Sequence, residues 1–230
     1  MSYISREEFL KRQKEREERS SNFQNQGPRV SYFSLKNDGD EAVVRFAYTN
    51  PDELYQDIFP THQVTIDGKF RRVKCLRENY KSPISDCPFC VSGTPVNERF
   101  YIKLIEYSRN ENGEIEITPK VWERPTSYIP TLNGFFDEYG DIAEMVFKIK
   151  RSGAKGSLQT TYSILPANQK VYNEALYPID FSAFNNYKVE GSALAVKTAE
   201  EMEEMLGVKE EKTEEATPVI QQSAPRRVTY

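Results

Sequence analysis

The chain has 230 residues, 38% of them apolar and 29% charged, with a formal net charge of -4. This is long enough for one good domain with appendages, and wetter than an average globular domain, so part of the chain is expected to stay outside the core. No apolar run approaches the ~20 residues of a membrane span and the charged opening MSYISREEFLKRQ does not resemble a signal peptide, which reads as a soluble intracellular protein with reduced thiols and no membrane partner.

Residues 5–19 read as a helix. Ser5 with Glu8 makes a capping box, and Glu7–Lys11, Glu8–Arg12 and Glu15–Arg19 are i,i+4 pairs in the favourable orientation. With only Ile4, Phe9 and Leu10 apolar, this helix cannot sit deep in a core. It is either a solvated helix or an arm whose bases, Lys11, Arg12, Lys14 and Arg16, dock on a neighbouring copy or on phosphates. The polar stretch 20–28 completes a charged arm and linker over 1–28.

From Arg29 the pattern turns to β. VSYFSLK and EAVVRFAY flank the turn cluster Asn37–Asp40, and TNPDELYQD is a loop or a single helical turn. VTIDGKFRRV predicts a hairpin about Asp67-Gly68, with Ile66 opposite Lys69 and Pro60 opposite Cys75. RFYIKLIEYS (99–108) and EIEITPKVW (114–122) are strand-like runs around a turn at Asn110–Gly113. Residues 125–140 form an amphipathic helix or two short turns, with Ile129, Leu132, Phe136 and Tyr139 inward. EMVFKIKR (144–151) and SLQTTYSIL (157–165) close the series. A mainly β domain over 29–190, a small closed or partly open barrel, is the expectation. An acidic tail is read over 191–230: a short helix capped by Thr198 and Glu201 and ended by Gly207, then a stretch disordered by composition. Eight Glu and four Lys or Arg fall in 200–230, so the rest of the chain is balanced in charge and is free to carry a basic groove.

His62, the only histidine, and the three cysteines, Cys75, Cys87 and Cys90, all lie within 29 residues, the last two as C-x-x-C. In the predicted register His62 and Cys75 are diagonal neighbours on one face of the hairpin, and the Cys87-Pro88-Phe89-Cys90 turn supplies two more sulfurs. Three thiolates and one imidazole make a closed tetrahedral set for one structural zinc, with no position left for substrate. The competing readings are buried free thiols, a core histidine, or a redox pair. Three cysteines cannot all pair with one another, and a redox pair has no need of His62.

No phosphate-binding loop, dinucleotide fingerprint, nucleophile elbow or H-E-x-x-H motif is present, and the one histidine is committed to metal, so the chain reads as a non-enzyme. The positive signal is aromatic residues interleaved with bases on strands, the combination that suits a single strand of nucleic acid. The residues singled out are Arg72, Lys74, Arg99, Tyr101, Trp122, Arg124, Lys148, Lys150 and Tyr162. For each, the competing reading is a core ring or the polar face of a strand.

Taken in order, the charged arm, the strand pair YFSLKNDGDEAVVRF, the hairpin HQVTIDGKFRRVKC with His62 and Cys75, the knuckle DCPFC, the aromatic–basic strands and the acidic C-terminal segment resemble the zinc-containing single-stranded DNA-binding (helix-destabilising) proteins of tailed bacteriophages, T4-type. The resemblance covers residues 1 to about 165 and is strongest over 30–105. It implies an OB-fold, a five-stranded Greek-key barrel, with an inserted zinc-binding subdomain at about 58–95. Single-stranded DNA would run through a basic, aromatic-lined cleft between the two. It also implies a protein that coats exposed strands in DNA replication, recombination and repair in the cytoplasm of an infected or lysogenic bacterial host. Such a protein would recruit replication and recombination proteins through the acidic tail and self-associate on DNA through the arm. Two departures stand out: the bases of the arm are interleaved with acids, and the chain ends PRRVTY, basic and aromatic. The alternatives from the residues themselves are a zinc-stabilised RNA-binding or transcription-associated module and a protein-binding adaptor.

Overall fold

The computed structural model describes Lys14 and residues 29–66, 68–79, 81–157 and 159–207. The arm helix and linker, Lys14 apart, and the stretch 208–230 lie outside the described residues.

The fold is mainly β, a mixed open sheet of eight strands with few helices. The strands are β1 (Ser31–Tyr32), β2 (Glu41–Phe46), β3 (Ile58–Ile66), β4 (Lys69–Lys74), β5 (Val96–Arg109), β6 (Ile115–Pro125), β7 (Phe147–Ser152) and β8 (Thr161–Pro166). They run β1-β6-β5-β2-β7-β8, with β3 added to β5 and β4 to β3; β1 and β6 are parallel and the other pairs antiparallel.

β5 organises the sheet. One edge pairs with β6 from Arg99↔Pro125 to Arg109↔Ile115, and the reversal between them is an Asx turn in which Asn110 Oδ1 accepts from the N–H groups of Asn112 and Glu114. The other edge is shared: β3 takes Val96–Phe100 and β2 takes Leu104–Tyr107. The hairpin that carries His62 therefore grows from the same strand that carries the main core. Both faces of β5 are buried, which its run of apolar residues anticipates. Phe100, Ile102 and Leu104 enter the main core with Val44, Phe46, Trp122 and Phe147. Tyr101, Ile105 and Tyr107 face the other way, beneath an irregular segment that contributes Tyr177, Val189 and Leu194.

The sheet curls strongly. β6 and β8 are four strand positions apart, about 19 Å along a flat sheet, yet the Trp122 and Tyr162 ring centroids are 5.4 Å apart. Over residues 29–207 the helices are α1 (Asp52–Gln56), α2 (Pro88–Val91), α3 (Ile129–Tyr139) and α4 (Ala199–Leu206). α3 settles the reading of 125–140. A 3-10 turn at Thr126–Tyr128 leads into it, and Pro130 sits in its first turn, where no intrahelical N–H bond is lost. Ile129 and Leu132 are buried and Phe136 packs on the core, but Tyr139 is exposed, a correction to its expected inward place.

The extent of the tail is also corrected. The segment after Gly191 does not hang free: Leu194 is buried, Ala195 bridges Val73, and α4 packs through Met202 on the cysteine-bearing core. The capping box of Thr198 and Glu201 and the left-handed Gly207 (φ 74°) form as expected. No helix among the described residues is long and apolar enough to cross a membrane.

Candidate metal centre and adjoining basic face

The hairpin register is Ile66↔Lys69 and His62↔Val73, and the Cys75 N–H donates to the Pro60 carbonyl. Alternation then sets His62 and Cys75 on one face. Cys87 is extended (φ -139°) just before α2, and Cys90 lies within that turn. The four ligand atoms all lie within 4.8 Å of one another. Cys75 Sγ is 3.6 Å from Cys90 Sγ, while His62 Nε2 is 3.4 Å from Cys87 Sγ and 3.6 Å from Cys90 Sγ. Arms of about 2.3 Å to sulfur and 2.0 Å to nitrogen set at tetrahedral angles give edges of roughly 3.5–3.8 Å. These separations match the edges of a coordination tetrahedron, so the group could hold one metal ion.

The surroundings fit that role. The His62 Nδ1 lies 3.2 Å from the carbonyl oxygens of Thr94 and Pro95, so Nδ1–H donates there and Nε2 turns its lone pair to the sulfurs. Burial lowers the His62 pKa, which favours the neutral, ligating ring. Burial also pushes the Cys75 thiol up to about 12. Burial acts the same way on Cys87, but backbone N–H groups of Leu76, Cys90 and Phe89 outweigh it and leave that thiol lowered. Arg77 Nη1 is 3.9 Å from Cys90 Sγ and offsets thiolate charge. Val73, Phe89 and Met202 wall the site, with the His62 and Phe89 rings 5.4 Å apart.

The same alternation turns Phe70, Arg72 and Lys74 to the opposite face of the hairpin. The expected nucleic-acid residues divide there and elsewhere into held, buried and available groups. Arg72 and Arg99 both pair with Glu123, Arg99 at 2.9 Å, so β4, β5 and β6 are joined by one carboxylate. Burial lowers the Arg99 pKa against the pull of Glu123. Lys74 pairs with Glu190 at 2.6 Å, and Lys148 with Glu41 at 2.9 Å. Lys150 is exposed, opposite Ser163. Two expectations are corrected by burial. Tyr101 is fully buried beneath Val189 and Leu194, and burial raises its pKa. Trp122 is 1% exposed, edge-on to Phe33, Tyr128 and Tyr162. Neither ring offers a face to a base; both are core.

The curl of the sheet brings Arg124 of β6 and Tyr162 of β8 together. The Arg124 guanidinium carbon lies 4.0 Å from the Tyr162 ring centroid, 4.4 Å from that of Trp122 and 5.8 Å from that of Tyr128. Arg124 has no carboxylate partner among the described residues. Two buried donors in this box, Arg124 Nε and Trp122 Nε1, have no acceptor among the described residues. The Tyr162 hydroxyl accepts from Arg151 Nη1 at 3.1 Å, which orients the ring. Arg124 stands opposite Phe100, two residues along β5 from Glu98. Glu98, with Tyr55, Pro60, Cys75, Arg77 and Val96, lines a cleft of about 310 Å³ on the metal-ligand face of the sheet.

Sequence reasoning missed Tyr128, Tyr55, Glu123 and Glu190. Tyr128 lies only four residues beyond Arg124, but Arg124 lies at the end of a strand and Tyr128 ends the 3-10 turn after it, so no helical period relates them. The carboxylates had no signal either, because acids on strands look like solvated face. No protein-family model matches the chain, and comparison with curated proteins gives no match either.

Proposed function

We propose that this protein binds single-stranded nucleic acid, DNA first, with little sequence preference, and is organised as an OB-type β body with a zinc-rooted hairpin. This is the arrangement implied by its resemblance to the phage single-stranded DNA-binding proteins, and it carries their role of coating strands in replication, recombination and repair. Zinc is the metal that suits a closed set of three thiolates and one imidazole, and its work there is structural. Replication and recombination proteins as partners of the C-terminal stretch, and self-association through the arm, belong to the same proposal.

The observation that carries it is the Arg124 box: a cation stacked among Trp122, Tyr128 and Tyr162 with no carboxylate partner among the described residues. A planar guanidinium held by rings is a preset fork for a phosphate, and the half-exposed rings of Tyr128 and Tyr162 give surfaces for bases. An oxygen admitted beside the rings would also satisfy Arg124 Nε and Trp122 Nε1, each of which costs about 1–3 kcal/mol while buried without an acceptor.

One observation favours an adaptor instead: Arg72, Lys74, Arg99 and Lys148 are already held by the protein's own carboxylates. A salt-dependent titration of the full chain with single-stranded and duplex DNA separates the readings. The expected result is a strong preference for the single strand, with affinity lowered about tenfold in Arg124→Ala and not restored by Arg124→Lys, which keeps charge without the stacked plane. Equal affinity for both forms of DNA overturns the proposal, and undetectable binding at low salt leaves the adaptor. Competition with RNA of equal length decides the polymer.

A further inference from the structure

The β3–β4 hairpin extends beyond the sheet that supports it. β3 pairs with β5 only over Ile58–His62, and β4 pairs only with β3. The last outside backbone support of β4 is the bridge of Val73 to Ala195 and the Lys74 N–H bond to the Ala195 carbonyl. Past that point Gln63–Ile66 and Lys69–Arg72 form a two-stranded ribbon with no third strand among the described residues, about 13 Å long at the usual rise. Such a ribbon is marginal by itself. Its root is fastened by His62 and Cys75, two of the four metal-site residues, and by buried Val73.

Near its tip stands Phe70, 76% exposed, more than any other large apolar side chain among the described residues. It belongs to no core cluster and no ring pair among the described residues. Its neighbours in sequence, Lys69 and Arg71, are also exposed, and neither has a carboxylate partner among the described residues, whereas the next two bases of β4, Arg72 and Lys74, are ion-paired. The strand therefore keeps its unneutralised charge at the tip, next to an aromatic ring in sequence and turned to the opposite face of the ribbon. A protein or lipid partner would call for a contiguous apolar patch. Phe70 instead lies opposite Thr65 and diagonal to Gln63, both polar. A lone ring on one face of the ribbon, with two basic side chains unpaired among the described residues on the other, fits a polyanion with exposed π faces that wraps the tip.

We propose that the hairpin tip is a second contact for single-stranded nucleic acid, separate from the Arg124 box, in which Phe70 stacks on an unpaired base on one face of the ribbon while Lys69 and Arg71, which alternation turns to the other face, draw the phosphates around the edge of the tip. The inference rests on the single-strand reading above. A strand that leaves the cleft continues over the tip, so the metal-rooted ribbon lengthens the footprint.

The test is a fluorescence-anisotropy titration of the full, metal-loaded chain with a short labelled oligothymidylate and one several times longer. Wild type is compared with Phe70→Ala, Phe70→Trp and the pair Lys69→Ala/Arg71→Ala. Phe70→Ala is expected to weaken binding of the long strand at least about fivefold and to leave the short one unchanged. Phe70→Trp should keep affinity, and its emission should change on binding, an exposed signal against buried Trp122. The double variant should lower the slope of log K against log salt by about 1.4, or 0.7 for each phosphate. If wild type binds neither strand, the single-strand reading itself fails. If wild type binds, the variants bind equally well and the emission of Phe70→Trp does not change, the tip is no contact and only this inference falls. Loss of self-association with unchanged DNA binding would assign the tip to a second copy and overturn it too.

Discussion

Glu123 is the carboxylate on which two of the expected basic contacts converge. It stands opposite Tyr101 on β6, and its carboxylate takes both Arg72 from β4 and Arg99 from β5. The three side chains are about one-fifth exposed, so the cluster is screened by solvent only in part. Two guanidiniums on one carboxylate leave a positive excess at a place where a phosphate competes for the same donors. On the proposed function, Glu123→Gln is therefore expected to tighten single-strand binding and to steepen the salt dependence by about 0.7 for each guanidinium that gains a phosphate. A titration series in salt checks this. An unchanged slope would mean that Arg72 and Arg99 are structural and that nucleic acid meets the chain elsewhere. The alternation of Trp122, Glu123 and Arg124 made their opposite faces legible in the sequence. Which acid would hold which base was not, because Glu123 lies 24 residues from Arg99 and further from Arg72.

Among the elements, the hairpin and α4 form one unit around the cysteine cluster. The hairpin was readable because its causes are local: a two-residue turn at Asp67-Gly68, β-prone runs on both sides, and ligands placed by a period of two. α4 was readable as a helix from its caps, but not as a docked one. Met202 and Met205 make a thin apolar stripe among four glutamates, and that stripe alone does not name a partner. Met202 is fully buried against Val73, Cys75, Cys87 and Phe89. Met202→Ala should cost about 2–5 kcal/mol locally and speed loss of metal to a competing chelator, while the β body keeps its fold. Chelator-release kinetics with circular dichroism check it; a release rate equal to wild type would show that α4 merely rests on the site.

At the scale of the whole molecule, the docking of α4 moves the negative charge. Residues 200–207 hold four Glu and no base, while 208–230 hold four Glu and four Lys or Arg. The entire net charge of -4 therefore sits on a folded helix beside the metal site and not on the stretch that follows it. Truncation after Gly207 is expected to leave the salt slope of single-strand binding unchanged. Glu200→Gln/Glu204→Gln, which spares the capping pair Thr198 and Glu201, should tighten binding at low salt and lose that effect as salt rises. Titrations of the two variants check this against the reading of a detachable acidic tail, which expects the truncation to act and the helix variant not to.

The sequence by itself determined the four residues that could hold a metal, the register of the hairpin that presents two of them, the mainly β class and the caps of α4. Each of these follows from spacing, alternation or turn chemistry within a few residues. Only the tertiary structure decided that Tyr101 and Trp122 are core, that Arg72, Lys74, Arg99 and Lys148 are held by carboxylates, and that 191–207 is folded. The physical reason is contact order. Lys74 meets Glu190 across 116 residues, and Tyr101 is buried by Val189 and Leu194, so no local pattern carries the information.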